Sequence, residues 1–574
     1  MLHPNDIQGA ELCFLLDVDW LGKTYRFSTV PIDITDTSTG ELYRYNGGLG
    51  NPTIDQQTDF VGFDIDGSSI AMELTFNDVN WISEWLHGRS LELAAAEVSM
   101  IIVDEYNGHT SFKYEDRVPL FLGKVKDPII GTPTRPPGHI MFSIENSTNV
   151  KAIKMLDNSF EIDPYVFPGL DQRAATLGRI IETPIGQYVP FVFGALGEWY
   201  IRKSGSGRFQ ILKDQDSARC SPSYIINATG SGGSLNIELI IAMGTVSAPR
   251  IRIWDQEGGN FVNYVYTARN ADGTQYSYTW YEQGHVIEDN SFIPGLDEDQ
   301  TFWVSWAEFG EGIQDPLTGQ SLGPAGNMSL YCLEQTGLEY DKEAWVGLVS
   351  VLNRYKFAGY INDPSILVLD WFKQNIVANL PIEVFNGPNG LTPRLNLYFT
   401  QDIIPANHYI LESGMFEIQT GLQPLEVQPV NKVTVKYGFT GRLEHYLSTV
   451  IIDPTYNGND NAFIQRDPVS DMSYSRFGLL ETVIELPFVW EMHTAYRIAR
   501  DRIRMSALGA YGIEVSAFPQ FGFLEVGEII ALTSDNLGLD EHKCQIVGKS
   551  WSGGKWNFVL QLEDNTLVNP SLVS

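Results

Sequence analysis

The alternation of apolar and polar positions is most regular near the C-terminal end of the chain. Residues 490–508 contain no Gly or Pro, and their apolar side chains recur at mostly three- and four-residue spacing, which is typical of an amphipathic helix. Gly509 and Gly512 end this pattern. Four strand-like runs follow, with turn-rich segments between them: 513–518, 528–532, 544–547 and 556–562. The pattern predicts a helix that leads into a small antiparallel sheet or barrel.

The first 150 residues show the two-residue period of β-strands. Between residues 69 and 76, Ile70, Met72, Leu74 and Phe76 alternate with more polar positions. Other strand-like runs are 12–18, 25–34, 97–103, 119–125 and 139–144, a short helix is predicted at 79–86, and 128–137 is a candidate linker. A barrel-like β domain is the simplest architecture for this part.

The middle of the chain shows the two-residue period of strands in some segments and the helical spacing in others. Residues 235–335 are strand-like, with a hairpin signal at Asp272 and Gly273, whereas 170–181, 340–358 and 365–378 favour helices. A hairpin turn is predicted at 386–390 and a strand at 427–437. We therefore expect a mainly β protein with some α (α+β), with barrel-like and sandwich-like domains divided as 1–150, 151–234, 235–340, 341–425 and 426–574.

Composition narrows the class of protein. The chain has 574 residues, of which 43% are hydrophobic, enough for several buried cores. Its 38 Lys and Arg against 71 Asp and Glu give a net charge of −33, which repels nucleic acid. The acidic surface fits either a wall past which DNA slides without sticking or a surface that only aids solubility.

The spacing of the four cysteines and the N-terminal sequence indicate the compartment in which the protein is made. Cys13, Cys220, Cys332 and Cys544 lie far apart, which indicates free thiols made in a reducing cytoplasm and no zinc or iron–sulfur pattern. We see no secretory signal and no apolar run of transmembrane length. An extracellular destination would therefore require particle assembly and lysis.

The C-terminal stretch also resembles a known family. The Ala- and Arg-rich helix at 495–500 precedes Leu524-Glu525-Val526-Gly527-Glu528 with a hydrophobic run, then Leu537-Gly538-Leu539-Asp540, and finally 558–563. This order resembles the C-terminal part of tail hub (tip attachment) proteins of long-tailed bacteriophages and gene transfer agents. A second similarity is 186–194, where Phe193 stands in place of the usual tyrosine.

The resemblance implies a structural role without catalysis. Such hubs form ring-shaped homotrimers that close the distal end of the tail tube and open for DNA ejection. It also implies partners, namely a distal tail protein, the C-terminus of the tape measure protein and a tail fibre or receptor-binding protein. The expected location is the virion tail tip, after assembly in the bacterial host cytoplasm, with no cofactor and no specific nucleic-acid binding.

Two groups of side chains are candidate contact sites. Arg497, Arg500 and Arg504 share a helix face, which either pairs with local acids such as Glu491 and Asp501 or contacts a neighbouring subunit. The 261–309 segment holds twelve aromatic residues in an acidic, base-poor context. The candidates for glycan or partner contact within it are Tyr276, Tyr278, Trp280, Trp303 and Trp306. They either stack on sugar rings or fill the core of a β-sandwich.

Catalytic and metal signals are weak. Carboxylate pairs for sugar hydrolysis could come from Glu308 and Glu311, or from Glu282 and Glu288, but the sequence does not fix their separation. Segments 64–67 and 457–461 resemble fragments of calcium loops, and 540–544 groups several possible ligands in what reads as a polar turn. The alternatives to a hub are a receptor- or carbohydrate-binding tail protein and a cell-wall glycoside hydrolase.

Overall fold

A computed structural model of the chain describes a set of residue ranges. These are 11–57, 69–76, 91–103, 112–131, 138–145, 153–156, 161–163, 185–194, 201–202, 209–210, 221–229, 235–243, 245–246, 250–255, 260–271, 274–283, 302–306, 313–314, 320–387, 389–399, 409–412, 415–425, 428–440, 444–458 and 463–562. The short helices predicted at 79–86 and 170–181 lie outside them.

The described residues of the N-terminal part form ten strands and a short 3-10 helix at Tyr114–Asp116. The strands are β1 (Glu11–Trp20), β2 (Lys23–Ser28), β3 (Ile32–Thr35), β4 (Leu42–Gly47), β5 (Thr53–Gln57), β6 (Ser69–Phe76), β7 (Ala95–Val103), β8 (Phe112–Lys113), β9 (Val118–Gly131) and β10 (Gly138–Glu145). β1 pairs antiparallel with both β2 and β7. It is buried on both faces, because Phe14 and Leu16 enter a large core while Cys13 and Leu15 enter a smaller cluster with β3 and β4. This explains its nearly continuous apolar run.

The linker expected at 128–137 is wrong for its first residues, since β9 continues to Gly131. The β9–β10 register shifts between Met141 and Ser143, opposite Asp127 and Pro128. Proline lacks the N–H that a regular ladder needs, and a bulge is where a strand tolerates it. Residues 132–137 are outside the described ranges.

The next segment holds β11 (Phe191–Phe193), β12 (Ile201–Arg202), β13 (Phe209–Gln210), β14 (Ser221–Thr229), β15 (Leu235–Met243), β16 (Thr245–Val246), β17 (Arg250–Asp255), β18 (Asn260–Ala271), β19 (Thr274–Gln283), β20 (Phe302–Trp306) and β21 (Ile313–Gln314). Six of these strands pair in the cyclic order β14–β15–β19–β18–β17–β20, and β20 pairs back to β14. Ala271 pairs with Thr274, so the hairpin predicted at Asp272 and Gly273 is confirmed.

In the described residues from 320 to 395, three α-helices occur together with strands. The elements are α1 (Ala325–Thr336), α2 (Lys342–Leu352), β22 (Gly359–Ile361), α3 (Val368–Phe372) with a π-helical extension (Lys373–Val377), β23 (Ile382–Gly387) and β24 (Gly390–Leu395). The expectation of a β module over 235–335 is therefore wrong at its end, where α1 lies. This helix begins after Pro324, ends at Gly337 with φ +65°, and buries Met328, Cys332 and Leu333.

The described C-terminal part combines strands with two α-helices and a short 3-10 helix at Pro519–Phe523. The strands and α-helices are β25 (Tyr409–Leu411), β26 (Phe416–Ile418), β27 (Gln423–Pro424), β28 (Lys432–Thr440), β29 (His445–Ile452), β30 (Ile464–Gln465), α4 (Pro468–Phe477), β31 (Glu481–Leu486), α5 (Met492–Ser506), β32 (Tyr511–Ala517), β33 (Ile529–Ser534), β34 (Leu539–Ser552) and β35 (Lys555–Leu562). The predicted helix and the four strands after it are confirmed, whereas α4 was not expected.

Strand β34 joins the two ends of the chain. It pairs with β33 and β35 along one stretch and with β5 through Gly548–Gln57 to Trp551–Ile54. Through this pairing, seventeen of the described strands belong to one sheet system. Phe14 also packs edge-on against Trp551, with 5.4 Å between ring centroids. The first core therefore contains side chains from both ends of the chain.

A second core lies around the helices. It combines α1, α2 and α3 with the four-stranded sheet β30–β29–β28–β31 and with α5. The hairpin β23–β24 reaches both cores, because Ile382 and Val384 belong to the second core and Phe385 to the first. The expectation of a mainly β protein with some helix is confirmed. The five domain boundaries remain predictions.

Candidate functional site

The candidate contact surface rests on helix α5. Its apolar positions Ala495, Ile498, Ala499 and Ile503 are buried in the second core, which fixes the rotation of the helix. Gly509, with φ +74°, follows its end, as the sequence pattern predicts. Among the polar positions of α5, Arg500 is exposed and the other arginines are half-buried, whereas Thr494, Asp501 and Ser506 are buried.

The basic stripe, defined as Arg497, Arg500 and Arg504, follows the outer face of α5. Arg497 donates to the backbone carbonyl oxygen of Arg354, and its guanidinium lies 5.4 Å from the centre of the Tyr355 ring. Arg500 is exposed and Arg504 is half-buried. Within the part of the chain that the structure describes, neither arginine has a carboxylate within 4.0 Å. One member of the stripe is thus fixed within the chain, and two are left for other contacts.

Asp501 lies beside the stripe but does not neutralise it through an ion pair in the described residues. The carboxylate is buried and accepts a hydrogen bond from the Tyr355 hydroxyl. Burial raises the pKa of Asp501 to about 6, although the Tyr355 hydrogen bond and the positive charges of the stripe oppose this shift. The carboxylate of Glu491, the other acid near the basic stripe, accepts a hydrogen bond from the Thr494 hydroxyl at 3.4 Å.

The fourth arginine of the helix has a different role. Arg502 donates to the carbonyl oxygen of Ala378 at 2.8 Å, and burial lowers its pKa. Thr494 accepts from the backbone N–H of Lys356 at 3.1 Å. Together with Arg497, these contacts hold α5 against the helical part of the second core. The helix is therefore an internal support as well as a surface.

The structure divides the aromatic candidates between two strands. Tyr276, Tyr278 and Trp280 occupy alternate positions of β19, while Trp303 and Trp306 lie on β20. In the six-strand ring, β19 pairs with β15 and β18, whereas β20 pairs with β14 and β17. The two groups therefore lie on strands across the ring from each other. Register places Tyr276 opposite Arg269 and Trp280 opposite Glu238.

Most of the remaining chemical candidates lie outside the described residues. Glu282 lies on β19, while Glu288, Glu308, Glu311 and 64–67 are outside the described residues. The 540–544 segment is the start of β34 and not a turn, with Cys544 buried. Among the residues that the structure describes, no three His, Cys, Asp or Glu side chains are grouped to hold a metal ion. No helix in these residues is long and apolar enough to cross a membrane.

The 186–194 segment forms a close backbone crossing. Its strand β11 pairs with β22, and Phe193 packs against Trp371 and Phe488 with ring centroids 5.3 and 5.4 Å away. Gly194 has φ +66°, and a Cβ atom there would lie 2.1 Å from the carbonyl oxygen of Phe357. The glycine at the end of this segment is therefore required by the packing.

Comparisons with known proteins found similar solved structures. The chain is similar to a tail protein from Neisseria meningitidis MC58 (8% identity, TM-score 0.36, 97% of this chain and 98% of that chain). It is also similar to the prophage MuSo2 43 kDa tail protein from Shewanella oneidensis (10% identity, TM-score 0.32, 96% and 98%). A chain of a gene transfer agent virion is similar at 12% identity and a TM-score of 0.35, over 66% of this chain and 85% of that chain. No protein-family model and no curated protein matches the chain.

Proposed function

We propose that the chain is a structural hub of a phage-type tail tip. In this role it closes the distal end of the tail tube, anchors a fibre or receptor-binding protein and opens for DNA ejection. It acts by movement of packed domains and not by bond chemistry. Its partners are a distal tail protein and the end of a tape measure protein, and DNA passes without specific recognition. The virion tail is its location, reached after assembly in the host cytoplasm.

The observation that carries the proposal is the sequence resemblance at 490–563. In the folded chain, this stretch also connects the two cores. Helix α5 packs in the second core, and β34 pairs with β5 of the N-terminal strands. A segment that joins both cores suits a subunit that must transmit movement between domains. The second similar segment, 186–194, is likewise a packed crossing.

The proposed oligomer is a homotrimer in which the basic stripe contacts acidic surface of a neighbouring copy. A chain of net charge −33 repels its own copies, so an ordered assembly needs local positive anchors. Arg500 and Arg504 have no carboxylate within 4.0 Å among the described residues, and arginine is suited to interfacial carboxylates. Arg497 fixes the helix that presents them.

Light scattering coupled to size exclusion tests the assembly on the full chain. Three chains of 64.3 kDa give about 193 kDa, and we expect that species at physiological ionic strength, where salt screens the net repulsion between copies. The double variant Arg500→Gln and Arg504→Gln should shift the population towards monomer. Arg44→Gln with Arg466→Gln removes the same charge from arginines that are already ion-paired, and serves as the control. A clean monomer of the wild-type chain at high concentration, with or without salt, would contradict the trimer.

A further inference from the structure

The hairpin β23–β24 is the place where the two cores meet. Ile382, Val384 and Leu391 are buried in the second core. Phe385 is buried in the first core, which also contains Val526 and Ile546 from the C-terminal strands. A separation of the cores at this hairpin would expose apolar surface on both sides, so the hairpin forms a joint between them.

A polar cluster is buried inside this joint. Glu383, Asn396 and Gln545 are 5%, 2% and 0% exposed. The Asn396 side-chain amide donates to Glu383 Oε1 at 2.8 Å, and the Gln545 side-chain amide donates to Glu383 Oε2 at 3.2 Å. We call these three residues the joint cluster. Its members come from β23, from the residue after β24 and from β34, which places the cluster across the joint.

Gln545 connects the C-terminal sheet to the hairpin at several points. Its Oε1 accepts from the backbone N–H of Leu397 at 2.8 Å, while its Nε2 also donates to the carbonyl oxygen of Gly527 at 3.2 Å. Since Gln545 belongs to β34 and Leu397 follows β24, the bond to Leu397 spans the joint, whereas the bond to Gly527 stays within the C-terminal segment. A buried amide that is satisfied on both ends fixes one arrangement, because leaving these groups unpaired is costly.

The charged groups around the cluster are committed elsewhere. Arg394 is the cross-strand neighbour of Glu383, but its guanidinium pairs with Glu525 at 3.3 Å. Lys549 of β34 donates to the carbonyl oxygen of Gly522 at 2.6 Å, and Glu528 accepts from the backbone N–H of Glu525. In the described part of the chain, no cation lies within 4.0 Å of the Glu383 carboxylate.

Ionised Glu383 therefore depends on two neutral amides for stabilisation. Such donors offset only part of the cost of burying a charge. Burial raises the pKa of Glu383 from 4.5 to about 7, although the Asn396 hydrogen bond opposes the shift. The ionised form is the less stable one inside the joint, whereas water stabilises it once the joint opens.

We propose that the joint cluster is a proton-dependent latch, which holds the two cores together when Glu383 is protonated and loosens when Glu383 is ionised. A carboxyl group with a raised pKa stabilises the closed joint fully below its solvent-exposed pKa and loses that stabilisation as pH rises towards the buried value. The loosening therefore takes place between about pH 4.5 and 7. The inference concerns the chain itself and does not rest on the tail-tip role.

Hydrogen exchange of the full chain at pH 5 and pH 8, corrected for intrinsic rates, tests the latch. The amides to follow are Leu397 and those of β23. We expect their protection to fall at least tenfold between the two pH values in the wild type. Glu383→Gln and Glu383→Met should each abolish this fall. Because the readout is the ratio between two pH values, a variant with a uniformly weaker joint remains informative.

Asp501→Asn is the matched control, because Asp501 is another buried carboxyl group with a raised pKa but lies on α5, away from the joint. It should keep the wild-type ratio at Leu397 and β23. The latch is refuted if wild-type protection differs by less than twofold between pH 5 and pH 8. It is equally refuted if both Glu383 variants retain the wild-type fall.

Discussion

The two cores differ in how they hold buried charge. In and around the first core, Arg117 faces two carboxylates, Asp17 and Glu97, each at 3.4 Å. In the second core, Asp501 is held by a tyrosine hydroxyl, and at its border Glu383 is held by amides. Burial raises the pKa of Asp17 although the Arg117 and Arg26 charges oppose the shift. With mainly neutral donors beside them, the pKa values of Asp501 and Glu383 rise to about 6 and about 7. We therefore expect the strongest pH sensitivity in and beside the second core.

Replacement of Arg117 is the strongest test of the paired region. The guanidinium also lies 3.5 Å from the centre of the Tyr114 ring and donates to the Tyr45 hydroxyl at 3.1 Å. Arg117→Met leaves Asp17 and Glu97 without their main partner, and we expect a loss of about 3–5 kcal/mol in the free energy of unfolding. Urea denaturation measures it.

Two further variants identify the cause of that loss. Adding Asp17→Asn to Arg117→Met should restore part of the stability, because it removes the uncompensated buried charge. Arg44 pairs with Asp33 on the surface, so Arg44→Met should cost less than about 1 kcal/mol. Equal losses of unfolding free energy for Arg117→Met and Arg44→Met would show that the buried ion pairs stabilise the chain no more than the surface pair does.

The second core has a different weak point, which is the backbone crossing at Gly194. Alanine there must adopt φ +66° and place its Cβ against Phe357 and Ala358. We expect Gly194→Ala to cost about 2–4 kcal/mol, from overpacking and the left-handed conformation together. Gly186 also has a positive φ, +82°, but open space around it. Gly186→Ala should therefore cost only about 1–2 kcal/mol in the same urea titration. A similar loss of unfolding free energy in both variants would show that the contacts of the Cβ with Phe357 and Ala358 are not its cause.

Local pattern predicts single elements of this chain well. The strand at 69–76 has the expected bounds, and the helix ending before Gly509 buries the expected positions. Both depend on residues close in sequence, whose alternation reflects one buried face. Helix α1 was missed because Gly323, Pro324 and Gly326 interrupt the pattern at its start, although Pro324 in fact precedes its first turn.

Contacts between distant residues could not be predicted in this way. Tyr355 and Asp501 are 146 residues apart, and Glu383 and Gln545 are 162 apart. The pairing of β5 with β34 likewise joins opposite ends of the chain. The basic stripe was identified from spacing alone, but the fixation of Arg497 by Arg354 and Tyr355 depends on tertiary packing. No local sequence pattern distinguishes Glu383 from the other acidic residues of the chain, which has 71 Asp and Glu.

The pH sensitivity of the second core can be measured at Asp501. Its pKa rises from 3.8 to about 6, so the neutral form is favoured in the folded chain. Stability from this group is present at low pH and is lost as pH rises from about 4 to 6. Asp501→Asn mimics the neutral form, and its carbonyl oxygen still accepts from Tyr355. We expect the variant to exceed the wild type by about 1–3 kcal/mol at pH 7 and to equal it near pH 4.

Urea denaturation at the two pH values provides this comparison. The variant and the wild type both carry Glu383, so its contribution to the difference in stability cancels. A variant that is less stable than the wild type at pH 7 would mean that the positive charges of the basic stripe stabilise ionised Asp501 more than burial opposes it. The two cores would then treat buried charge alike.

The smallest expected effect concerns the start of α2, where a carboxylate at the edge of the second core caps the helix and also accepts from the Asn389 side-chain amide at 3.3 Å. Asp341 accepts from the N–H of Ala344 at 2.9 Å as the N-cap of the helix. Asp341→Ala should cost about 1 kcal/mol, because the first turn loses a hydrogen-bond acceptor and a favourable charge. Asp370 is exposed in the first turn of α3 and makes no cap, so Asp370→Ala should change the free energy of unfolding by less than about 0.5 kcal/mol. Equal losses of unfolding free energy in Asp341→Ala and Asp370→Ala would show that the cap hydrogen bond does not stabilise the start of α2.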